Sequence, residues 1–137
     1  MNFTQTLKEN QFKVTPSRLE ALEVLSLSKT PMTIEQIWQK LVKSQPNLVT
    51  VYRIIKDFKQ KDLVRQVDLQ HQHAHFELSA KDDHHHLVCT QCGRLEDVPG
   101  CQLNDLVMQS VRRSSNFTST SGHNFEIFGL CKDCVRK

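Results

Sequence analysis

The sequence predicts an α+β fold in two parts, and three observations predict it. Residues 3–60 carry apolar stripes at helical spacing, broken by Lys29-Thr30-Pro31 and by a turn around Pro46. Residues 63–78 then change to short strand-like runs. Beyond Ser79 the pattern restarts as strand, strand, helix, strand around two Cys-x-x-Cys pairs, Cys89/Cys92 and Cys131/Cys134, with 38 residues between them. The expected boundaries are 1–78 for a winged helix-turn-helix domain, 79–83 for a hinge and 84–137 for a small α/β domain that holds zinc.

A chain of 137 residues allows one domain or two small ones. Net charge is +3, and its placement matters more than its size. Residues 1–80 hold 11 Lys/Arg against 8 Asp/Glu, while 81–137 hold 7 of each. All seven histidines lie from His71 onward. Basic charge is thus separated from metal-ligand residues, which suggests a polyanion-binding part and a metal-binding part. No apolar run approaches the roughly 20 residues that cross a bilayer, so no membrane association is expected. Met1 to Lys29 holds no apolar run of a secretory signal, which points to a cytoplasmic setting with reduced thiols.

The first part reads in order as follows. Residues 3–11 suit a short polar helix. Thr15-Pro16 reads as an N-cap followed by proline at the first helical position, and the helix runs to about Leu27 with Leu19, Leu22 and Leu25 inward. Thr33 with Gln36 makes a capping box. Ile34, Ile37, Trp38, Leu41 and Val42 then follow an amphipathic stripe. Ser44 to Leu48 is a turn, and Val51, Ile54, Ile55 and Phe58 form the next stripe. The last two helices joined by a tight turn suggest a helix-turn-helix. Opposite the third stripe stand Val49, Arg53, Lys56 and Gln60, flanked by Thr50 and Tyr52. Cations mixed with groups that meet base edges suit a DNA groove, and the plain alternative is a solvated face.

Leu63 to Leu69 and His73 to Leu78 read as the two strands of a wing. His71, His73, His75 and Glu77 alternate, which in extended chain turns all four to one face. That face is either solvent-exposed and polar or a source of metal ligands, with His75 and Glu77 the better placed.

In the second part His84 to Cys89 and Arg94 to Val98 read as strands around a Cys89/Cys92 knuckle, with Gly93 suited to the turn. Pro99-Gly100 ends that hairpin. Leu103, Leu106, Val107, Ser110 and Val111 give a helix with one apolar-to-neutral face, and Phe125 to Leu130 is a third strand leading into Cys131. Two Cys-x-x-Cys pairs can wrap one tetrahedral ion at roughly 2.3 Å per sulfur. Four thiolates leave no open position, so that zinc is expected to be structural. The standard gap between such pairs is about 15–20 residues, so the loop here must hold structure of its own. Two disulfides, or a redox dithiol pair, are the alternatives. Cys101 is unpaired and reads as a small buried residue at a helix start. About 55 residues make a small core, which zinc and dimerisation would supplement.

Val14-Thr15-Pro16-Ser17-Arg18, Thr50-Val51-Tyr52-Arg53, His84 through Gly93, His123 through Glu126, Gly129, Cys131 and Cys134 together resemble the ferric-uptake-regulator family of bacterial metal-responsive repressors. The resemblance runs nearly the whole length, in order. It implies a cytoplasmic homodimer on an inverted-repeat double-stranded DNA operator, with the C-terminal domain as dimerisation domain. It implies a regulatory divalent metal held by Glu77, His84, His86 and Asp97, and a structural zinc on Cys89, Cys92, Cys131 and Cys134. It adds Lys13, Thr15 and Arg18 to Thr50, Tyr52, Arg53 and Lys56 as DNA contacts. A second family site matches His85, Asn104 in place of an acidic residue, and His123; His71, His73 and His75 are further secondary candidates. A ligand histidine that many members carry near the second helix is absent here, where Pro31 stands.

Two imidazoles with two carboxylates suit zinc or iron, with manganese or nickel also accommodated. Asp97 is similar to the peroxide-sensing branch, whose oxidation chemistry needs the histidine missing near Pro31. The competing classes are a zinc hydrolase and a zinc-ribbon interaction module. The hydrolase would need an open metal position and a general base, and no His-Glu-x-x-His frame is present.

Overall fold

The computed structural model describes residues 1–70, 73–79 and 84–136. The chain divides into two compact units, Met1–Lys81 and Asp82–Lys137.

The first unit opens with α1 (Phe3–Glu9) and α2 (Pro16–Leu27). Thr15 caps α2, its hydroxyl accepting from the Arg18 N–H at 3.3 Å, with Pro16 where its missing N–H costs no hydrogen bond. A two-residue strand, β1 (Met32–Thr33), leads into α3 (Ile34–Lys40). The capping box is present in both directions between Thr33 and Gln36. Then come α4 (Leu48–Gln60), capped by Asn47, and the strands β2 (Val64–Val67) and β3 (His75–Leu78). The sheet order is β1-β3-β2, antiparallel throughout. The core joins Leu7, Leu22 and Leu25 to Ile37, Val51, Ile55 and Phe58, so the α4 stripe is buried as its spacing predicts.

Two expectations for this unit need correction. The α3 stripe stops early. The helix ends at Lys40, so Val42 falls beyond it and is exposed. Trp38 is also exposed, and its indole N–H donates to the Pro46 carbonyl at 2.9 Å. The four-residue His/Glu face is not formed either. Gln70 takes a positive φ and donates its N–H to Asp68, which turns the chain, and β3 begins only at His75. His73 lies outside the strand and exposed, its carbonyl meeting His75 Nδ1 at 2.9 Å. His71 lies outside the described residues, as do 80–83 of the expected hinge.

One buried acid escaped the sequence reading. Glu20 accepts from the Lys43 N–H at 2.9 Å and the Ser44 N–H at 2.8 Å, and also from the Ser44 hydroxyl, so it pins the α3–α4 turn to α2. Burial works against its charge, but the Ser44 hydroxyl and the two N–H donors hold its carboxyl below the usual range. Ionised Glu20 therefore stabilises the fold above the ordinary carboxyl range of about 4.3. That contribution drains away as pH falls through the lowered value. Glu20→Gln should lower stability at neutral pH by about 1–3 kcal/mol, because one accepting oxygen becomes an NH2 that cannot accept from the N–H facing it. It should also flatten the acid limb of a urea-unfolding series measured against pH; an unchanged acid limb would refute the assignment.

The second unit holds β4 (His84–Cys89), β5 (Leu95–Pro99), α5 (Asn104–Arg113), β6 (Glu126–Gly129) and a single turn of helix, α6 (Lys132–Val135). Its sheet order is β5-β4-β6. β4 runs antiparallel to β5 and parallel to β6, with His86 opposite both Asp97 and Glu126. Gly93 and Gly100 take positive φ at the two turns where the sequence places them. The apolar face expected on α5 is only partly covered within the chain: Leu103, Val107 and Val111 are half-buried. No residue of α5 is buried, and Leu106, Met108, Phe125, Ile127 and Leu130 are exposed.

Candidate metal centres and nucleic-acid face

The four-thiol cluster grows out of strand ends. β4 finishes at Cys89, and a knuckle closed by the Gly93 N–H on the Cys89 carbonyl at 2.9 Å brings Cys92 back over it. Cys131 caps α6, whose first turn returns Cys134. Thr90 donates to the Gly129 carbonyl at 2.8 Å, which fastens the knuckle to the end of β6. The four sulfurs lie within 4.8 Å of one another, and Cys92 and Cys131 are 3.7 Å apart. A tetrahedron with bonds of about 2.3 Å has an edge of about 3.8 Å, so the set fits one zinc ion. Backbone N–H groups of Cys92 and then Cys131 point at Cys89 Sγ and lower its thiol to about 5. The Cys134 N–H does the same for Cys131. Burial, followed by the neighbouring thiols, pushes Cys134 up to about 12. A divalent cation at the centre would remove that opposition to a fourth thiolate.

The middle of β4 carries a second candidate donor set. The His84 and His86 rings meet edge to face with centroids 4.8 Å apart. Glu126 Oε2 accepts from the His86 backbone N–H at 3.1 Å and from its ring Nδ1 at 2.8 Å. That bond fixes the tautomer and leaves the Nε2 lone pair as the donor. Nε2 stands 3.6 Å from Asp97 Oδ1. This is too long for a hydrogen bond, but it suits two donors across one ion with bonds of about 2.1 Å. Glu126 escaped the sequence reading as a positioning residue, because only the parallel β4–β6 pairing places it opposite His86.

In the first unit Glu77 is buried, and its Oε1 takes both Arg65 Nε and Arg65 Nη2 at 2.7 Å across the β2–β3 ladder. His75 is buried beside it on the strand.

β4 sends His85 the other way. Its ring packs against Phe125 and His123. Cys101 joins them, with Sγ 3.2 Å from His123 Nε2. Cys101 is half-buried rather than buried as expected, and lies three residues before α5.

On α4 the outward residues are as predicted: Val49, Tyr52, Arg53, Lys56 and Gln60 are exposed and Thr50 half-buried. Lys13 is exposed and Thr15 is occupied as a cap. Arg18 turns inward. It lies over the Phe12 ring at 5.2 Å, donates to the Lys13 carbonyl at 3.1 Å and pairs with Asp57 at 3.6 Å.

A winged helix-turn-helix unit followed in one chain by a small α/β unit with thiol and imidazole donor sets is the make-up of a metal-responsive DNA-binding regulator. The pattern of the Ferric uptake regulator family matches residues 9–128. The chain is 34% identical over 134 residues to the peroxide-responsive repressor PerR of Staphylococcus saprophyticus, covering 96% of this chain and 88% of that protein. It is 31% identical over 137 residues to the ferric uptake regulation protein of Legionella pneumophila, covering 98% and 99%. Its fold matches the crystal structure of the Vibrio cholerae ferric uptake regulator with a TM-score of 0.76 at 28% identity, covering 95% of this chain and all of that one. The chain belongs to the ferric uptake regulator family. Members of this family are regulators of transcription rather than enzymes.

Proposed function

We propose that this protein is a cytoplasmic, metal-dependent transcriptional repressor and not an enzyme, acting as a homodimer on an inverted-repeat operator. The residues divide into three roles. Cys89, Cys92, Cys131 and Cys134 hold a structural zinc. Glu77, His84, His86 and Asp97 hold the regulatory ion, for which two imidazoles with carboxylates suit zinc or iron, and also manganese or nickel. Lys13, Thr15, Thr50, Tyr52, Arg53 and Lys56 face DNA, while Arg18 holds α2 against α4.

One observation carries the reading: the His86 ring is oriented by Glu126 and turned to Asp97, with Nε2 3.6 Å from Oδ1, a separation that two ligands of one ion can take. Homodimerisation is supported by the exposed apolar side chains of α5 and β6. The switch follows from where the ligands stand in the chain. Glu77 belongs to the wing and the histidines to the second unit. One ion shared by them would fix the spacing of two reading heads before they meet half-sites about 34–36 Å apart. Metal and operator would then bind with positive coupling.

The test is operator binding with and without added metal, and tightening by metal is expected. Metal-independent binding would leave a plain zinc-ribbon module. On the DNA face, Arg53→Ala should weaken binding and reduce the salt slope by about one unit if Arg53 holds a phosphate. Tyr52→Phe should change sequence preference more than affinity. Unchanged binding by both variants would take α4 out of the groove.

A further inference from the structure

We propose that Arg65 sets the metal threshold of the regulatory site by holding the Glu77 carboxylate against the ion. The inference rests on the reading of Glu77 as a regulatory ligand given above. It adds a positioning residue that works against the ion rather than for it.

Arg65 on β2 and Glu77 on β3 are direct cross-strand partners. Arg65 Nε and Nη2 both meet one oxygen, Glu77 Oε1, at 2.7 Å. A carboxylate oxygen has about two lone-pair sites, so Oε1 is fully engaged. The two ends differ in exposure: the Glu77 side chain is 2% exposed and that of Arg65 32%. Val64, Phe76 and Leu78, next to the pair along the two strands, are buried. The acid end is thus shielded from water, which strengthens the pull of the guanidinium. A buried ion pair is seldom worth more than the apolar side chains that could replace it. Stability alone therefore gives the wing no reason to bury an acid, whereas use of that acid as a ligand does.

The sign of the effect follows from charge. Partners behind a metal ligand are ordinarily carboxylates or carbonyls, which make the ligand more basic and tighten binding. A guanidinium does the opposite. It stays protonated at any working pH, withdraws electron density from Oε1 and repels a dication. An ion that takes Oε1 must break two charge-assisted hydrogen bonds. An ion that takes Oε2 meets a carboxylate already partly neutralised. Both routes weaken binding, so the regulatory site fills only at a concentration that Arg65 raises. Arg65 also spares the wing an unpaired buried charge.

The probe is Mn²⁺, which favours carboxylate over thiolate donors and so leaves the four-thiol centre to zinc. Full-length protein is titrated, and free Mn²⁺ is read by electron paramagnetic resonance. Binding that disappears in His86→Ala is assigned to the regulatory site. At that site Arg65→Gln should bind Mn²⁺ about tenfold more tightly, the equivalent of one charge-assisted contact. Arg65→Lys keeps the charge but not the fork, so its affinity should lie between. Mn²⁺ should also raise the melting temperature of Arg65→Gln more than that of the unaltered protein, because the ion replaces the missing countercharge. A merely structural Arg65 would move affinity the other way, since a damaged wing binds more weakly. Equal or weaker Mn²⁺ binding in Arg65→Gln, while Glu77→Gln weakens it, overturns the role of Arg65 alone. Arg65→Lys decides by the same criterion should Arg65→Gln not fold. Unchanged Mn²⁺ affinity in Glu77→Gln would show that Glu77 is no ligand, and the inference would fall with the reading it rests on.

Discussion

The Cys131→Ser protein should lose its tightly held zinc, and its second unit should melt on the order of 20 °C lower than in the unaltered chain. Cys131 is the proposed ligand that also joins the two halves of the cluster: its N–H meets Cys89 Sγ at 3.4 Å, and its carbonyl takes the Cys134 and Val135 N–H groups at 3.1 Å that start α6. Serine keeps those backbone contacts but offers a poor zinc donor. Little else in the unit can take over. Among the described residues, its buried apolar side chains are Val88 and the cluster thiols Cys89 and Cys134 themselves. Metal binding is therefore folding free energy for this part of the chain. Arg94→Ala serves as the control, because the Arg94–Asp133 pair at 2.8 Å spans the same elements but is exposed at both ends. Zinc content by elemental analysis and a melting curve by circular dichroism check the result. A Cys131→Ser protein that keeps one zinc per chain and its melting temperature would refute the four-thiol centre.

The second large effect is expected at His86. His86→Ala should keep its structural zinc, its fold and its metal-free DNA affinity, yet bind operator no better when metal is added. The loss is the whole coupling between metal and operator, typically about 1–3 kcal/mol. His86 is 1% exposed and sits between Glu126 and Asp97, so removing the ring separates Asp97 from the rest of the donor set. Glu126→Gln grades the effect. It leaves the ring but weakens the acceptor that orients it, and regulatory-metal affinity should fall about 10–100-fold while saturating metal still restores operator binding. Both variants are read by operator affinity over a metal titration. If metal still tightens His86→Ala about tenfold, equivalent to about 1.4 kcal/mol, the regulatory ion is held elsewhere.

Local signals in the sequence carried much of this architecture. Thr15-Pro16, the Thr33/Gln36 box and the Val51/Ile54/Ile55/Phe58 stripe are short-range patterns, and each forms as its spacing predicts. So does the knuckle, because Gly93 and a two-residue gap set it locally. The misreadings concern where regular structure stops. Trp38 and Val42 fit the α3 stripe, but the helix ends before the stripe can be used. His73 fits strand alternation, but the Asp68–Gln70 turn delays the strand. The pairings missed altogether span long sequence separations. Glu126 meets His86 from 40 residues away, Glu20 meets Ser44 from 24, and His123 meets Cys101 from 22. No periodicity within a window reveals such pairs; they depend on which strands become neighbours.

The run His84-His85-His86 has a consequence for how the gene encoding it can change. Successive side chains leave a strand on opposite faces, so His85 serves one cluster and its two neighbours another. Sliding β4 by one position against β5 and β6 would exchange the two ligand sets and set Leu87 in place of a ring. The Cys89 knuckle would move by the same step. Substitution at exposed Leu87 is therefore expected to be tolerated, whereas inserting or deleting a single codon within His84–His86 should break up both histidine clusters at once.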